Sequence, residues 1–243
     1  MIVANARQRL TREDAQLAVR LVASDSAGEL EQAQRRLADE GIDSILDDDR
    51  LPAALLHSRF GAYASLPLFL YVMVRHALVH AGEGDRAVSD YLAAVLLSFG
   101  VRGRAQRITE SDDEVYGTLT ALLEDVNTGD ARRAFLVRAH LGNYALWLSG
   151  IFPDYIEHRK WKRGGPDVGY FEEVGKRGFA LAAEHRFAEQ YGLARVYGSI
   201  AARFGLLRVA LNSISDRLFF PNVNTPERLM RQVQDEARWK LAG

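Results

Sequence analysis

The chain has 243 residues, of which 48% are hydrophobic and 26% are charged, a globular composition that excludes wholesale disorder. Its formal net charge of -1 provides no overall attraction to nucleic acid or to an anionic membrane surface. The absence of cysteine excludes disulfides, thiolate nucleophiles and cysteine-bound metal centres. Because this composition fits a reducing compartment, we predict a cytoplasmic protein.

Helix signals begin close to the N-terminus. Thr11, three residues before Asp14, resembles a capping box and predicts a helix directly after it. A second helix is predicted over residues 28–40, with Gly41 as its left-handed terminator. Residues 43–50 predict a short helical turn, and Pro52 favours a further helix that extends to His57. Residues 1–50 are therefore a candidate peripheral helical arm on one larger domain.

The most apolar stretch of the chain, residues 66–81, predicts a central core helix that begins after a capping serine, Ser65. This stretch is shorter than the roughly 20 residues that a membrane-spanning helix needs, and it contains Arg75, so we predict no membrane association. The next helix is predicted over residues 85–99, where apolar side chains recur at helical spacing.

Helices are predicted along the rest of the chain as well. An acidic start at residues 110–114 favours a helix that reaches Val126, and Asp130 caps an apolar helix that ends near Phe152 because a proline follows. The remaining stretches are residues 168–191, 193–218 with a bend at Gly205, and a last helix from Pro226 onward. No segment alternates apolar and polar residues. The sequence therefore predicts an all-α, single-domain bundle of about nine to eleven helices without a sheet.

Three histidines lie in the most apolar helices and are the candidate metal ligands. His76 and His80 are four residues apart, which places both imidazoles on one helix face. His140 lies in the second very apolar helix, so three nitrogen ligands would converge if the two helices packed together. Since no HExxH or ExxH pattern accompanies them, we predict neither metal nor cofactor, and a buried cofactor at these histidines remains the alternative.

The second apolar helix ends in a recognisable block. Its sequence, LGNYALWLSGIFP at residues 141–153, resembles a block that recurs in a family of uncharacterised bacterial all-helical proteins, where LG, SG and FP keep this spacing. The resemblance implies a helical bacterial protein and no particular activity.

Further along the chain, Gly169, Gly175 and Gly178 fall within one helical stretch, where they favour close approach of another helix.

A basic run follows this block and provides the candidate partner-binding residues. We predict a loop over residues 156–163, because the preceding helix is expected to end at Pro153 and a Gly-Gly-Pro break follows. Cations around an aromatic side chain suit an acidic protein surface, and they also suit stacking on a base with neutralisation of phosphates. The residues concerned are Arg159, Lys160, Trp161, Lys162 and Arg163.

From these patterns we predict a non-catalytic helical interaction or accessory protein of a bacterial cytoplasmic system. The expected partner is another protein or a second copy of the chain. Two alternatives stay open at this stage. One is a helical enzyme or binder that uses the buried histidines, and the other is a nucleic-acid-associated protein that uses the basic segment.

Overall fold

The computed structural model describes residues 1–24, 26–109, 112, 115–116, 119–125 and 130–242. Within these residues it contains fourteen α-helices and no strand, so the predicted all-α class is confirmed. None of the described helices combines the length and the apolar character needed to cross a membrane. The chain divides into two compact units, residues 4–97 (the first unit) and residues 1–3 with 98–243 (the second unit). The single domain stays a prediction.

The first unit is built from short helices around one long apolar helix. Thr11 and Asp14 form the predicted capping box at the start of α1, and Ser65 caps α5, the predicted core helix. The core contains the fully buried side chains of Leu46, Leu68 and Tyr71. The helices are α1 (Arg12–Val22), α2 (Ala27–Glu40), α3 (Ile42–Leu46), α4 (Leu51–His57), α5 (Leu66–His80) and α6 (Arg86–Phe99), whose last two residues belong to the second unit.

The second unit is organised around its longest helix, which is buried on nearly all faces and packs against most of the others. Asp130 caps this helix as predicted, because its side chain accepts a hydrogen bond from the amide of Arg132. The helices are α7 (Leu119–Glu124), α8 (Ala131–Ile151), α9 (Pro153–Arg163), α10 (Val168–Ala183), α11 (Arg186–Gln190), α12 (Ala194–Ala202), α13 (Phe204–Ile214) and α14 (Pro226–Ala242).

Helices α8 and α10 cross at glycines. A Cβ on Gly178 would lie 2.9 Å from the backbone nitrogen of Gly142 and 3.0 Å from the carbonyl oxygen of Arg138. A Cβ on Gly175 would lie 2.8 Å from the Cβ of Ala145 on α8 and would also meet the ring of Phe204. Gly175 and Gly178 therefore do permit close helix approach, as the sequence indicates, whereas a Cβ on Gly169 would meet only the Asp167 carboxylate, at 3.4 Å.

The helix count is higher than predicted because long stretches are interrupted. The stretch 168–191 breaks at Glu184 and His185, and the stretch 193–218 breaks at Arg203 rather than bending at Gly205, then ends in the π-helical turn Ser215–Phe219. The predicted helix over 110–126 is wrong at its start, because the described residues 112, 115 and 116 are not helical and α7 begins at Leu119. Glu110, Asp113 and Glu114 of the acidic start and Val126 at the end lie outside the described residues.

The predicted loop over residues 156–163 is wrong, because this segment belongs to α9. Pro153 ends α8 but occupies the first turn of α9, where the missing N–H has no intrahelical partner to lose. The carboxylate of Asp154 lies in the first turn, where it interacts favourably with the positive N-terminal end of the helix dipole. The last turn, at the negative C-terminal end, carries the cations of Lys160, Lys162 and Arg163. Gly164, at φ 63°, then ends the helix in the left-handed conformation.

Candidate functional site

Two of the three candidate histidine ligands, His76 and His140, are held by backbone carbonyl groups. In the first unit, Nε2 of the partly buried His76 lies 2.9 Å from the carbonyl oxygen of Leu46, whereas His80 is exposed at the end of α5. His140 belongs to the second unit. Among the described residues, no three His, Cys, Asp or Glu side chains are grouped so that they could hold a metal ion.

His140 is a buried structural imidazole. Its Nε2 donates to the carbonyl oxygen of Ala105 over 3.0 Å, which leaves Nδ1 as the unprotonated nitrogen. The ring lies edge-on to Phe99 and stacks on Tyr144. Burial, and to a lesser degree the charge of Arg104, lowers the pKa of His140 to about 3. The imidazole is therefore neutral at pH 7 and stabilises the packing of α8.

The predicted partner-binding residues form the last turn of α9, and we call Arg159, Lys160, Trp161, Lys162 and Arg163 together the α9 surface. Ile156 and Pro153 anchor the helix because both are buried. The amide of Gly164 donates to the carbonyl oxygen of Lys160 over 3.0 Å, which fixes the final turn. A rigid helical turn thus presents the basic and aromatic side chains.

The indole of Trp161 stands in solvent, with 77% of the residue exposed. The cations around it are only partly neutralised. Nζ of Lys160 lies 3.7 Å from a carboxylate oxygen of Asp167. The guanidinium carbon of Arg159 lies over the ring of Tyr155, 5.7 Å from the ring centroid. Lys162 and Arg163 are exposed, and no carboxylate of the described residues lies within ion-pair distance of either. The α9 surface is therefore positively charged and carries a large, uncovered aromatic side chain.

The chemistry available at the α9 surface is recognition. Lysine, arginine and indole side chains donate hydrogen bonds and accept none, so they suit carboxylate or phosphate oxygens. An aromatic ring beside arginine is a combination typical of binding anchors.

Sequence reasoning missed an exposed apolar face on α14. Leu229, Met230 and Val233 point to solvent, although helical periodicity normally places such residues in the core. The opposite face is charged and buried. The sequence pattern reveals that the helix is amphipathic, but it does not indicate which face is covered.

A cavity in the first unit was also missed. It has a volume of about 540 Å³, and the nine-tenths-buried Asp90 lines it. Asp90 accepts a hydrogen bond from the amide of Arg7 over 2.7 Å, and burial raises the pKa of its carboxyl. The lining residues are scattered between positions 7 and 90, so no local motif marks this cavity.

Comparisons with models of protein families, with curated proteins and with solved structures found no match to this chain. Its function therefore has to be inferred from the chemistry of its own residues.

Proposed function

We propose that this protein is a non-catalytic helical interaction protein of a bacterial cytoplasmic system, and that it binds an acidic protein partner through the α9 surface. The observation that carries the proposal is the exposed indole of Trp161 beside the cations of Lys162 and Arg163. A bacterial origin is supported by the resemblance of residues 141–153 to a block in bacterial helical proteins. A cytoplasmic location is supported by the cysteine-free sequence, which fits a reducing compartment.

The exposed tryptophan supports binding because its burial is worth a large free energy. An aromatic side chain can cover about 150–250 Å², so burying Trp161 against a partner would contribute on the order of 3 kcal/mol. The side chain projects from a helical turn whose backbone is already fixed, so little backbone entropy is lost when it binds. Tryptophan and arginine are also the residues most often found as binding hot spots.

The size of the charged patch favours an acidic protein over nucleic acid. Proteins that bind nucleic acid by charge typically make about 6–10 phosphate contacts over a broad basic face. Here the cations occupy one helical turn of a chain whose net charge is -1, and Asp167 already lies beside Lys160. Such a patch matches a short acidic segment, with Trp161 covering apolar surface at its centre.

The test uses a fluorescein-labelled peptide of alternating glutamate and leucine, with a labelled single-stranded DNA as the competing probe. Fluorescence anisotropy at low and high salt measures both affinities. We expect Lys162→Ala/Arg163→Ala to weaken peptide binding at low salt, because exposed charges are screened at high salt. Trp161→Ala should weaken peptide binding at both salt concentrations, because the lost contact is apolar.

The chain offers a matched control in another adjacent lysine–arginine pair of the same unit. Lys176 and Arg177 are exposed on α10, so Lys176→Ala/Arg177→Ala removes the same charge from a different surface. This control should leave peptide affinity and melting temperature unchanged. Equal weakening by both double variants would contradict the proposal. Tighter binding of the DNA, lost in Lys162→Ala/Arg163→Ala, would favour the nucleic-acid alternative.

A further inference from the structure

The cavity of the first unit combines apolar walls with charged side chains. Its volume of about 540 Å³ is within the range of about 300–1,000 Å³ that is typical of small-molecule pockets. The fully buried side chains of Leu46 and Leu68 contribute to its apolar wall. Two acids and two cations share the lining, namely Asp14, Asp90, Arg7 and Arg12. The charges that the chain itself leaves unsatisfied determine what the cavity can bind.

Two of these four charged groups are already satisfied within the chain. The carboxylate of Asp14 accepts hydrogen bonds from the backbone amides and the hydroxyl groups of Thr11 and Ser65. A guanidinium nitrogen of Arg7 lies 2.6 Å from a carboxylate oxygen of Asp43. The groups that remain are Asp90 and Arg12.

Asp90 is the acid that lacks a counter-charge. It lies on α6 and is only 8% exposed, and its hydrogen-bond donors are the uncharged backbone amides of Arg7 and Ala6. No cation of the described residues lies within ion-pair distance of its carboxylate. Burial accordingly raises the pKa of this carboxyl group. Since a buried carboxylate without a cation is energetically costly, Asp90 favours an ammonium group in the cavity.

Arg12 is the cation that lacks an acid. It is exposed in the first turn of α1, and no carboxylate in the described part of the chain lies within ion-pair distance of its guanidinium group. The first turn is also the positive end of the helix dipole, which favours an anion. Arg12 therefore suits a carboxylate group of a ligand at the open side of the cavity.

We infer that this cavity binds a small zwitterion with an apolar body, namely an apolar amino acid or a dipeptide of such residues. Asp90 would pair with the ammonium group of the ligand and Arg12 with its carboxylate. Leu46 and Leu68 would contact its apolar side chain. The two acids and two cations of the lining sum to no net charge, which matches a zwitterion better than a simple cation or anion.

Isothermal titration calorimetry of the full chain with L-leucine and with L-leucyl-L-leucine tests the inference, and the tighter of the two identifies the size of the ligand. We expect a dissociation constant on the order of 100 µM for at least one of them. Isopentylamine and isocaproate each lack one charged group of leucine, so they should bind about tenfold more weakly or worse. Glycine should also bind weakly, because it has no apolar side chain.

Variants of the two unsatisfied groups test their assigned contacts. Asp90→Asn should weaken binding of the zwitterion about tenfold or more, because it removes the charge but keeps an acceptor for the amide of Arg7. Arg12→Gln should weaken binding about threefold or more at low salt, since its charge is exposed. The matched controls Asp39→Asn and Arg9→Gln, at exposed positions outside the cavity, should leave the affinity unchanged.

A cavity-filling variant keeps the test independent of any effect of Asp90 on folding. Ala15→Met occupies part of the cavity without removing a charge, so it should weaken binding about tenfold or more. Ala38→Met, on an exposed part of α2, should not weaken it, and circular dichroism checks the helix content of each variant. The inference is overturned if neither zwitterion binds at millimolar concentration, or if isopentylamine or isocaproate binds as tightly as leucine and the dipeptide. A folded Asp90→Asn or Ala15→Met variant with unchanged affinity would also overturn it.

Discussion

Lowering the pH from 7.5 to 5 should destabilise the protein through His140, because the folded state resists protonation of this residue. Its pKa is lowered from the ordinary 6.5 to about 3, mainly by burial. In the unfolded chain the imidazole binds a proton as the pH falls below about 6.5, whereas in the folded chain it stays neutral down to about pH 3. The stabilising effect is thus fully present above pH 6.5 and is lost as the pH falls from 6.5 toward 3.

The magnitude follows from the difference in bound protons. Between pH 6.5 and pH 3 the unfolded state holds close to one more proton than the folded state. The free energy of unfolding therefore falls by about 1.4 kcal/mol for each unit by which the pH is lowered. At pH 5 the loss is therefore about 2 kcal/mol relative to pH 7.5. The carboxyl pKa values of Asp47 and Asp112 are lowered by ion pairs and hydrogen bonds, and they add to acid destabilisation only below about pH 4.

Urea unfolding at pH 7.5 and pH 5 measures this effect, with His140→Gln as the test variant. Glutamine keeps an N–H group that can donate to the carbonyl of Ala105, but it does not titrate. The variant should lose about 2 kcal/mol less than the original chain between the two pH values. His158→Gln, at an exposed position of α9, controls for the exchange of histidine for glutamine itself. An equal loss of stability in the original chain and in His140→Gln would refute the assigned role of burial.

Three further substitutions test packing and buried polar groups by their free energies of unfolding. The hydroxyl of the fully buried Tyr71 has no hydrogen-bond partner among the residues that the structure describes, so Tyr71→Phe should stabilise the protein by about 1 kcal/mol, and a loss of stability would reveal a hidden partner. Gly178→Ala should cost about 1–3 kcal/mol because its Cβ meets backbone atoms, whereas Gly198→Ala in open space should be neutral or stabilising. Arg208→Met should cost about 3–5 kcal/mol because it removes the buried cation that lies 2.8 Å from the carboxylate of Asp235, and adding Asp235→Asn should recover part of that loss.

Local signals in the sequence were sufficient to predict most of the helices. Thr11, Ser65 and Asp130 cap the helices they were expected to cap, because a side-chain oxygen that satisfies a free amide is a short-range interaction. The glycines at 175 and 178 were also interpreted correctly, since close helix approach excludes a side chain at those positions.

The failures concern choices that local sequence leaves open. Proline is compatible with both the end of one helix and the start of the next, and the sequence pattern indicates only the end at Pro153, so it predicts residues 156–163 as a loop although they belong to α9. The inward face of α14 depends on Asp154, Asp216 and Arg208, which are distant in sequence from the residues they pair with. The sequence indicates the residues of the α9 surface as candidates for partner binding, which stays a prediction, while the exposure of Trp161 required the structure.

The inverted packing of α14 also determines how its docking responds to temperature. Releasing residues 226–235 would hydrate the charged groups of Arg228, Arg231 and Asp235, while Leu229, Met230 and Val233 are already in water. Hydration of apolar surface raises the heat capacity, and hydration of polar surface lowers it. Release of this segment would therefore proceed with a smaller heat-capacity change per residue than unfolding of the apolar core. Docking of α14 would consequently lose less stability on cooling than a hydrophobic core does.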